Sequence, residues 1–227
     1  MSYLKLTADE LLEILKGFNH TELHVHHTWK PDHSNFNGKN HTAIQDGMRN
    51  FHVNTNKWDD IAQHVTLFPD GYFLTGRDFA KQPVSIKGFN GSGDKIPFAV
   101  EMVGNFDIGE DKLEGKQKES ILKLAKFFDD QKKYVRFHRE NAPKTCPGSG
   151  IDKDVFMKEV KALSEVKAAE VKPVSPFAKE AHEWAMEYKI SDGSRPHDNI
   201  TRQEQLVITK RAHDFTMSEV KKLLGQK

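Results

Sequence analysis

Tyr134-Val-Arg-Phe-His-Arg-Glu-Asn-Ala-Pro-Lys-Thr-Cys-Pro-Gly148 is the stretch whose reading decides how the rest of the chain folds. It holds the single cysteine of the sequence, Cys146, with His138 upstream and Lys144 between them. Val135 to Phe137 have the pattern of the end of a short buried strand, and Pro143, Pro147 and Gly148 force a tight, non-helical loop after it. A strand end that places an imidazole, followed by a stiff loop that returns a thiol, can present two metal ligands to one point. Zinc accepts nitrogen and thiolate together, and a catalytic zinc site takes three protein ligands and keeps a fourth position open.

A third donor has a candidate in Glu22-Leu-His-Val-His-His-Thr28, a short alternating run with the pattern of a strand covered on one face. In such a strand His24 and His26 share a face and His27 points the other way. Three histidines alone are as compatible with exposed or core-satisfied rings. Beside the His138/Cys146 loop they point to a metal.

Val25-His-His-Thr-Trp-Lys-Pro31 together with His138-Arg-Glu-Asn-Ala-Pro-Lys-Thr-Cys-Pro147 resembles the two metal-binding segments of the zinc N-acetylmuramoyl-L-alanine amidases. That family includes phage endolysins and shares its fold with the peptidoglycan recognition proteins. The resemblance runs from about Leu23 to about Lys158, and its specific part is the His-to-Cys loop. It implies zinc as cofactor with His26, His138 and Cys146 as ligands, and Lys144 as a catalytic residue. It further implies an α/β (α+β) fold: a central mixed β-sheet flanked by helices. Many phage-type relatives carry a catalytic Tyr where this chain has Gln63, which puts that version of the mechanism in doubt. The branch without the Tyr uses a Glu on a strand, matched here by Glu101.

Glu101 also stands out on physical grounds. Pro97-Phe-Ala-Val-Glu-Met-Val-Gly104 reads as a buried strand, and an ionised carboxylate inside it costs several kcal/mol unless paired or functional. A structural pairing with Arg77 or Lys144 is the plain alternative to a general base. Alternation places Glu101 with Ala99 and Val103, opposite Phe98, Val100 and Met102.

Around these segments, Thr7-Ala-Asp-Glu10 has the capping-box pattern ahead of a helix marked by Leu11, Leu12, Ile14, Leu15 and Phe18. Helices are expected over 40–51, 115–128 and 151–160, the middle one strongly amphipathic. Ile61 to Phe68 and Tyr72 to Thr75 read as a hairpin closed by Pro69-Asp-Gly71. Trp29, His41, His64 and Phe89 are candidates to touch substrate, although His64 has the look of a hydrogen-bonded structural histidine. Phe36 and Met48 read as packing.

The 227 residues, 30% charged with a formal net charge of +1, suffice for one ordinary domain and a small appendix. Near-zero net charge argues against a nucleic-acid binder, and no apolar run reaches the length of a membrane span. A single cysteine excludes an internal disulfide. The first residues lack the organisation of a secretion signal, so the expectation is a host cytoplasmic chain released to the cell wall, or another export route. The expected organisation is a catalytic domain over 1–162, a linker over 163–175 and a helical module over 176–227. In the last, one helix from Ser175 to Tyr188 and another capped by Thr201 and Glu204 are similar to half of a surface-layer-homology repeat, which implies a secondary cell-wall polymer as partner. The main partner implied by the family is peptidoglycan, hydrolysed between N-acetylmuramic acid and L-alanine. Two rival readings are a recognition module that binds without cleaving and a cysteine hydrolase with Cys146 as nucleophile.

Overall fold

A computed structural model of the chain describes residues 3–170, 179–187 and 202–223. Lys5–Leu6 (β1), Glu22–His27 (β2), Val65–Leu67 (β3), Phe73–Thr75 (β4), Phe98–Met102 (β5) and Tyr134–Phe137 (β6) form one mixed sheet in the order β1-β4-β3-β5-β2-β6. The β1/β4 and β4/β3 pairs are antiparallel, and β3/β5, β5/β2 and β2/β6 are parallel. This is the mixed, helix-flanked sheet expected from the sequence.

Alternation along the strands divides the sheet chemically. Leu23 and Val25 of β2 and Phe98, Val100 and Met102 of β5 belong to the main core. They pack with Leu11 and Leu15 of helix Ala8–Leu15 (α1), Ile121, Leu124 and Phe128 of helix Gly115–Asp130 (α3), and Phe156 and Val160 of helix Lys153–Glu170 (α4). Residues between them, His24, His26 and Glu101, are thereby turned to the opposite face. Helix His41–Asn50 (α2) completes this unit.

Local signals act as their chemistry dictates. Thr7 caps α1, and its hydroxyl and the Glu10 carboxylate satisfy each other's backbone N–H groups. The hairpin turns at Gly71, whose φ of 85° suits glycine and whose missing Cβ would meet Lys116 Cβ at 2.8 Å. The ladder of β3 is shorter than the Ile61 to Phe68 run, because Gln63 and His64 bond Arg77, Gly76 and Ala99 outside the regular pairing.

The chain divides into two compact units, Met1–Ser164 and Glu165–Lys227. α4 runs on to Glu170, so part of the expected linker is helical; its Ala, Glu, Lys content favours that state. In the second unit, helices Lys179–Glu187 (α5) and Arg202–Leu223 (α6) are described. The rest of the linker, the break after Tyr188 and the Thr201 cap lie outside the described residues.

Candidate metal centre

Three neighbouring strands aim the site. In β2 and β5 the parallel register sets His26 beside Glu101, and on the other side Val25 pairs with Phe137, the residue before His138. The His26 and His138 rings lie 4.7 Å apart, centroid to centroid. A short 3-10 turn, His138–Glu140, follows β6, pinned by the Glu140 carboxylate accepting the Phe137 N–H at 2.7 Å. Arg139 then closes the loop: its backbone N–H donates to the Cys146 carbonyl at 2.8 Å and its guanidinium to the Gly148 carbonyl at 2.8 Å. That closure returns Cys146 to the sheet, where its Sγ lies 3.6 Å from His26 Nδ1 and accepts the His27 backbone N–H at 3.4 Å.

One donor atom each from His26, His138 and Cys146 lie within 4.8 Å of one another. Tetrahedral zinc bonds of about 2.0–2.3 Å imply donors roughly 3.3–3.8 Å apart, so a modest contraction would close the group around an ion. Burial, then the neighbouring His138, hold His26 well below the usual imidazole range. Burial and the Lys144 ammonium bring His138 down to about 4. Both rings are therefore neutral near pH 7, with lone pairs to give, and His26 Nε2 is buried without a hydrogen-bond partner. Burial and the Glu101 carboxylate push the Cys146 thiol up to about 12. Such a thiol is a poor nucleophile, which weighs against the cysteine-hydrolase reading. A divalent cation would stabilise it as thiolate on binding. The donor set fits such an ion.

These residues line a cleft of about 420 Å³ that also contains Glu101, Lys144 and Trp29. Burial raises Glu101 to about 8, and the one opposing influence is the Lys144 charge. Arg77 is elsewhere, bonded to Asp59 at 2.7 and 3.1 Å, so the alternative pairing of Glu101 with Arg77 does not occur. Trp29 stands at the lip, 59% exposed, with a φ of 57° that is unusual for a bulky residue.

The other proposed substrate contacts fall outside the cleft. His41 is buried, its Nε2 2.8 Å from an Asp70 oxygen and its ring against Phe36 and Phe68. His64 has no exposed surface; Nε2 donates to the Lys81 carbonyl at 2.8 Å and Nδ1 accepts the Ala99 N–H at 3.0 Å. It is a structural histidine. Phe89 is exposed but spent on Arg136, whose guanidinium lies 4.1 Å from the ring centroid. Residues not anticipated from sequence take their places in the cleft: His52, Trp58, Ser85 and Asp107. Trp58, set in the polar run Asn54 to Asp60, was the one legible signal among them.

No family model matches the chain. Over 84 residues, 37% of this chain and 15% of the relative, it is 33% identical to a Mus musculus protein named N-acetylmuramoyl-L-alanine amidase. The chain thus spans a small part of the curated relative's length. Among solved structures, a variant of Drosophila PGRP-LB in complex with tracheal cytotoxin superimposes with a TM-score of 0.50 at 18% identity, over 61% of this chain and 82% of that one. Apis mellifera PGRP-SA gives a TM-score of 0.50 at 18% identity, over 60% of this chain and 81% of that one. The chain shares the fold of these structures.

Proposed function

We propose that the chain is a zinc-dependent hydrolase that cleaves the amide between N-acetylmuramic acid and L-alanine in peptidoglycan. The observation that carries this is the gathering of His26, His138 and Cys146 at one end of a cleft that also holds Glu101 and Lys144. The partial likeness to a protein of that name supports it. Bound at the three donors, zinc would lower the pKa of a water toward about 7 and polarise the carbonyl.

The chain's own residues supply the rest. Glu101, whose carboxyl burial raises to about 8, takes a proton from the attacking water at Oε when ionised and returns it to the leaving amine nitrogen of L-alanine. Lys144 Nζ donates to the oxyanion that develops on the lactyl carbonyl. Trp29 offers an exposed ring at the lip, suited to a sugar or peptide face. The second unit is the candidate for holding a secondary cell-wall polymer, and the chain would act at the wall as an endolysin or autolysin. Removing residues after Pro173 should then weaken sedimentation with intact walls.

A second reading, peptidoglycan binding without cleavage, draws on the PGRP-LB complex with tracheal cytotoxin. Digestion of purified wall separates the two. New free amino ends on L-alanine, lost with a chelator and restored by zinc, are the expected result. New reducing sugar ends would refute the amidase, and binding with no new ends would leave the recognition module.

A further inference from the structure

One wall of the cleft has a chemistry that hydrolysis does not use. Ser85 lines the cleft and is partly exposed. Its Oγ lies 2.7 Å from His24 Nδ1, and the same ring's Nε2 lies 2.7 Å from Glu22 Oε1. Glu22 receives two further bonds from Arg136, Nε at 3.0 Å and Nη2 at 2.9 Å. His24 has no exposed surface, so the series passes through the interior and ends at the cleft.

The proton positions along this series follow from the inventory of donors. Burial alone would raise Glu22, but the bonds from His24 and Arg136 outweigh it and bring the carboxyl down to about 2. The two bonds from Arg136 fix Glu22 as a carboxylate, which only accepts, so His24 Nε2 carries hydrogen. The other neighbour of the Ser85 hydroxyl is Asn90 Oδ1 at 3.3 Å. That oxygen is identified as an acceptor because it takes the backbone N–H groups of Ser85 and Ile86, both at 2.9 Å. The hydroxyl hydrogen thus has a protein acceptor whichever nitrogen state His24 takes: Nδ1 where that atom carries no hydrogen, Asn90 Oδ1 where it does. Its single hydrogen is therefore committed to the protein, and its free lone pair is what the cleft meets.

We propose that Ser85 is a specificity-determining residue of the cleft: a hydroxyl oriented by Glu22 and His24 to act as acceptor only, receiving an N–H or O–H of the muramoyl-peptide substrate. This rests on the peptidoglycan reading of the same cleft. The Ser-His-Glu order is also that of a nucleophilic triad. Here the N–H groups of Ser85 and Ile86 are spent on Asn90, leaving no adjacent pair to hold an oxyanion, so the hydroxyl binds rather than attacks.

The test uses the full zinc-loaded chain with Glu101→Gln to stop turnover, titrated with a soluble muramoyl dipeptide. Adding Ser85→Ala should weaken binding roughly two- to twelvefold, the range of one net hydrogen bond. Ser85→Thr, which keeps the hydroxyl, should restore it, and zinc content should not change in either. Nitrogen-15 shifts of the His24 ring should show hydrogen on Nε2. Unchanged binding in Ser85→Ala, hydrogen on Nδ1 of a neutral ring, or labelling of Ser85 by a fluorophosphonate would each overturn the proposal. Failure of the underlying reading looks different: the parent chain would then neither bind the dipeptide nor release amino ends from wall.

Discussion

Two pairs of histidines lie close together at this sheet, His26 with the half-buried His138 and the buried His20 with His64, and only the first pair has a thiol beside it. His26 and His138 have ring centroids 4.7 Å apart, and His20 and His64 are 5.6 Å apart. Burial lowers all four, His20 to about 4 and His64 to about 3. Nitrogen partners separate His64 from the others but not His20, whose Nε2, like that of His26, is buried without a hydrogen-bond partner; the deciding difference is the third donor. His64 is closed by backbone on both nitrogens and stacked on Phe98, and His20 Nδ1 lies 3.2 Å from the Ile96 carbonyl. Among the described residues no third donor completes a group there, whereas Cys146 completes one around His26 and His138. Imidazole density does not make a metal site; uncommitted lone pairs beside a thiol do.

The largest effect should come from exchanging roles across that comparison. Cys146→Ser should lose bound zinc and cut wall hydrolysis by at least about a hundredfold, since losing even an outer-shell partner costs 10- to 100-fold. His64→Leu should keep zinc by elemental analysis but lose about 1–3 kcal/mol of stability from the stranded Ala99 N–H and Lys81 carbonyl. Zinc retained in the first variant and lost in the second would invert the assignment.

Within the cleft, Glu101→Gln should lower kcat about 10²- to 10⁴-fold with zinc content intact. Lys144→Met should lower it about 10²- to 10³-fold. Glu101 works as a base only when ionised, so the wild-type rate should rise with pH. Burial sets its metal-free pKa at about 8, and a bound cation would bring the midpoint below that. A rate that fell as pH rose across this range would remove Glu101 from the role.

The sequence made the cleft's metal end legible because three of its features are local. The His138-to-Cys146 loop is one continuous segment, and alternation in β2 and β5 decides which face His26 and Glu101 take. The part played by Ser85 was not legible. Ser85 joins the cleft through contacts with His24, 61 residues away, and nothing in its own neighbourhood marks it. His41 and His64 find their partners, Asp70 and the Lys81 carbonyl, on distant turns, so the structural character expected of His64 and the saturation of His41 become visible only in three dimensions. Helix α4 extends to Glu170 because the stretch before Pro173 consists of good helix formers, so the first part of the expected linker is helical.

The smallest effect sharpens the comparison from the structural pair's side. In the unfolded chain a histidine titrates near 6.5, while folded His20 and His64 resist protonation down to about 4 and about 3. Below about 6.5 the unfolded chain therefore binds more protons than the folded one, so stability is full above that pH and falls as pH drops toward 4. Glu22 acts lower down: its folded pKa of about 2 gives stability present above its unfolded value and lost only on further acidification. Chelator-treated protein should thus show a denaturation midpoint that declines between about pH 6.5 and about pH 4.5. His20→Phe, which keeps a ring against Phe18 and Phe98, should make that decline shallower without changing zinc content in the loaded protein. An equally steep decline in the variant would mean that His20 carries none of the acid sensitivity, leaving His64 as the one member of the structural pair that could supply it.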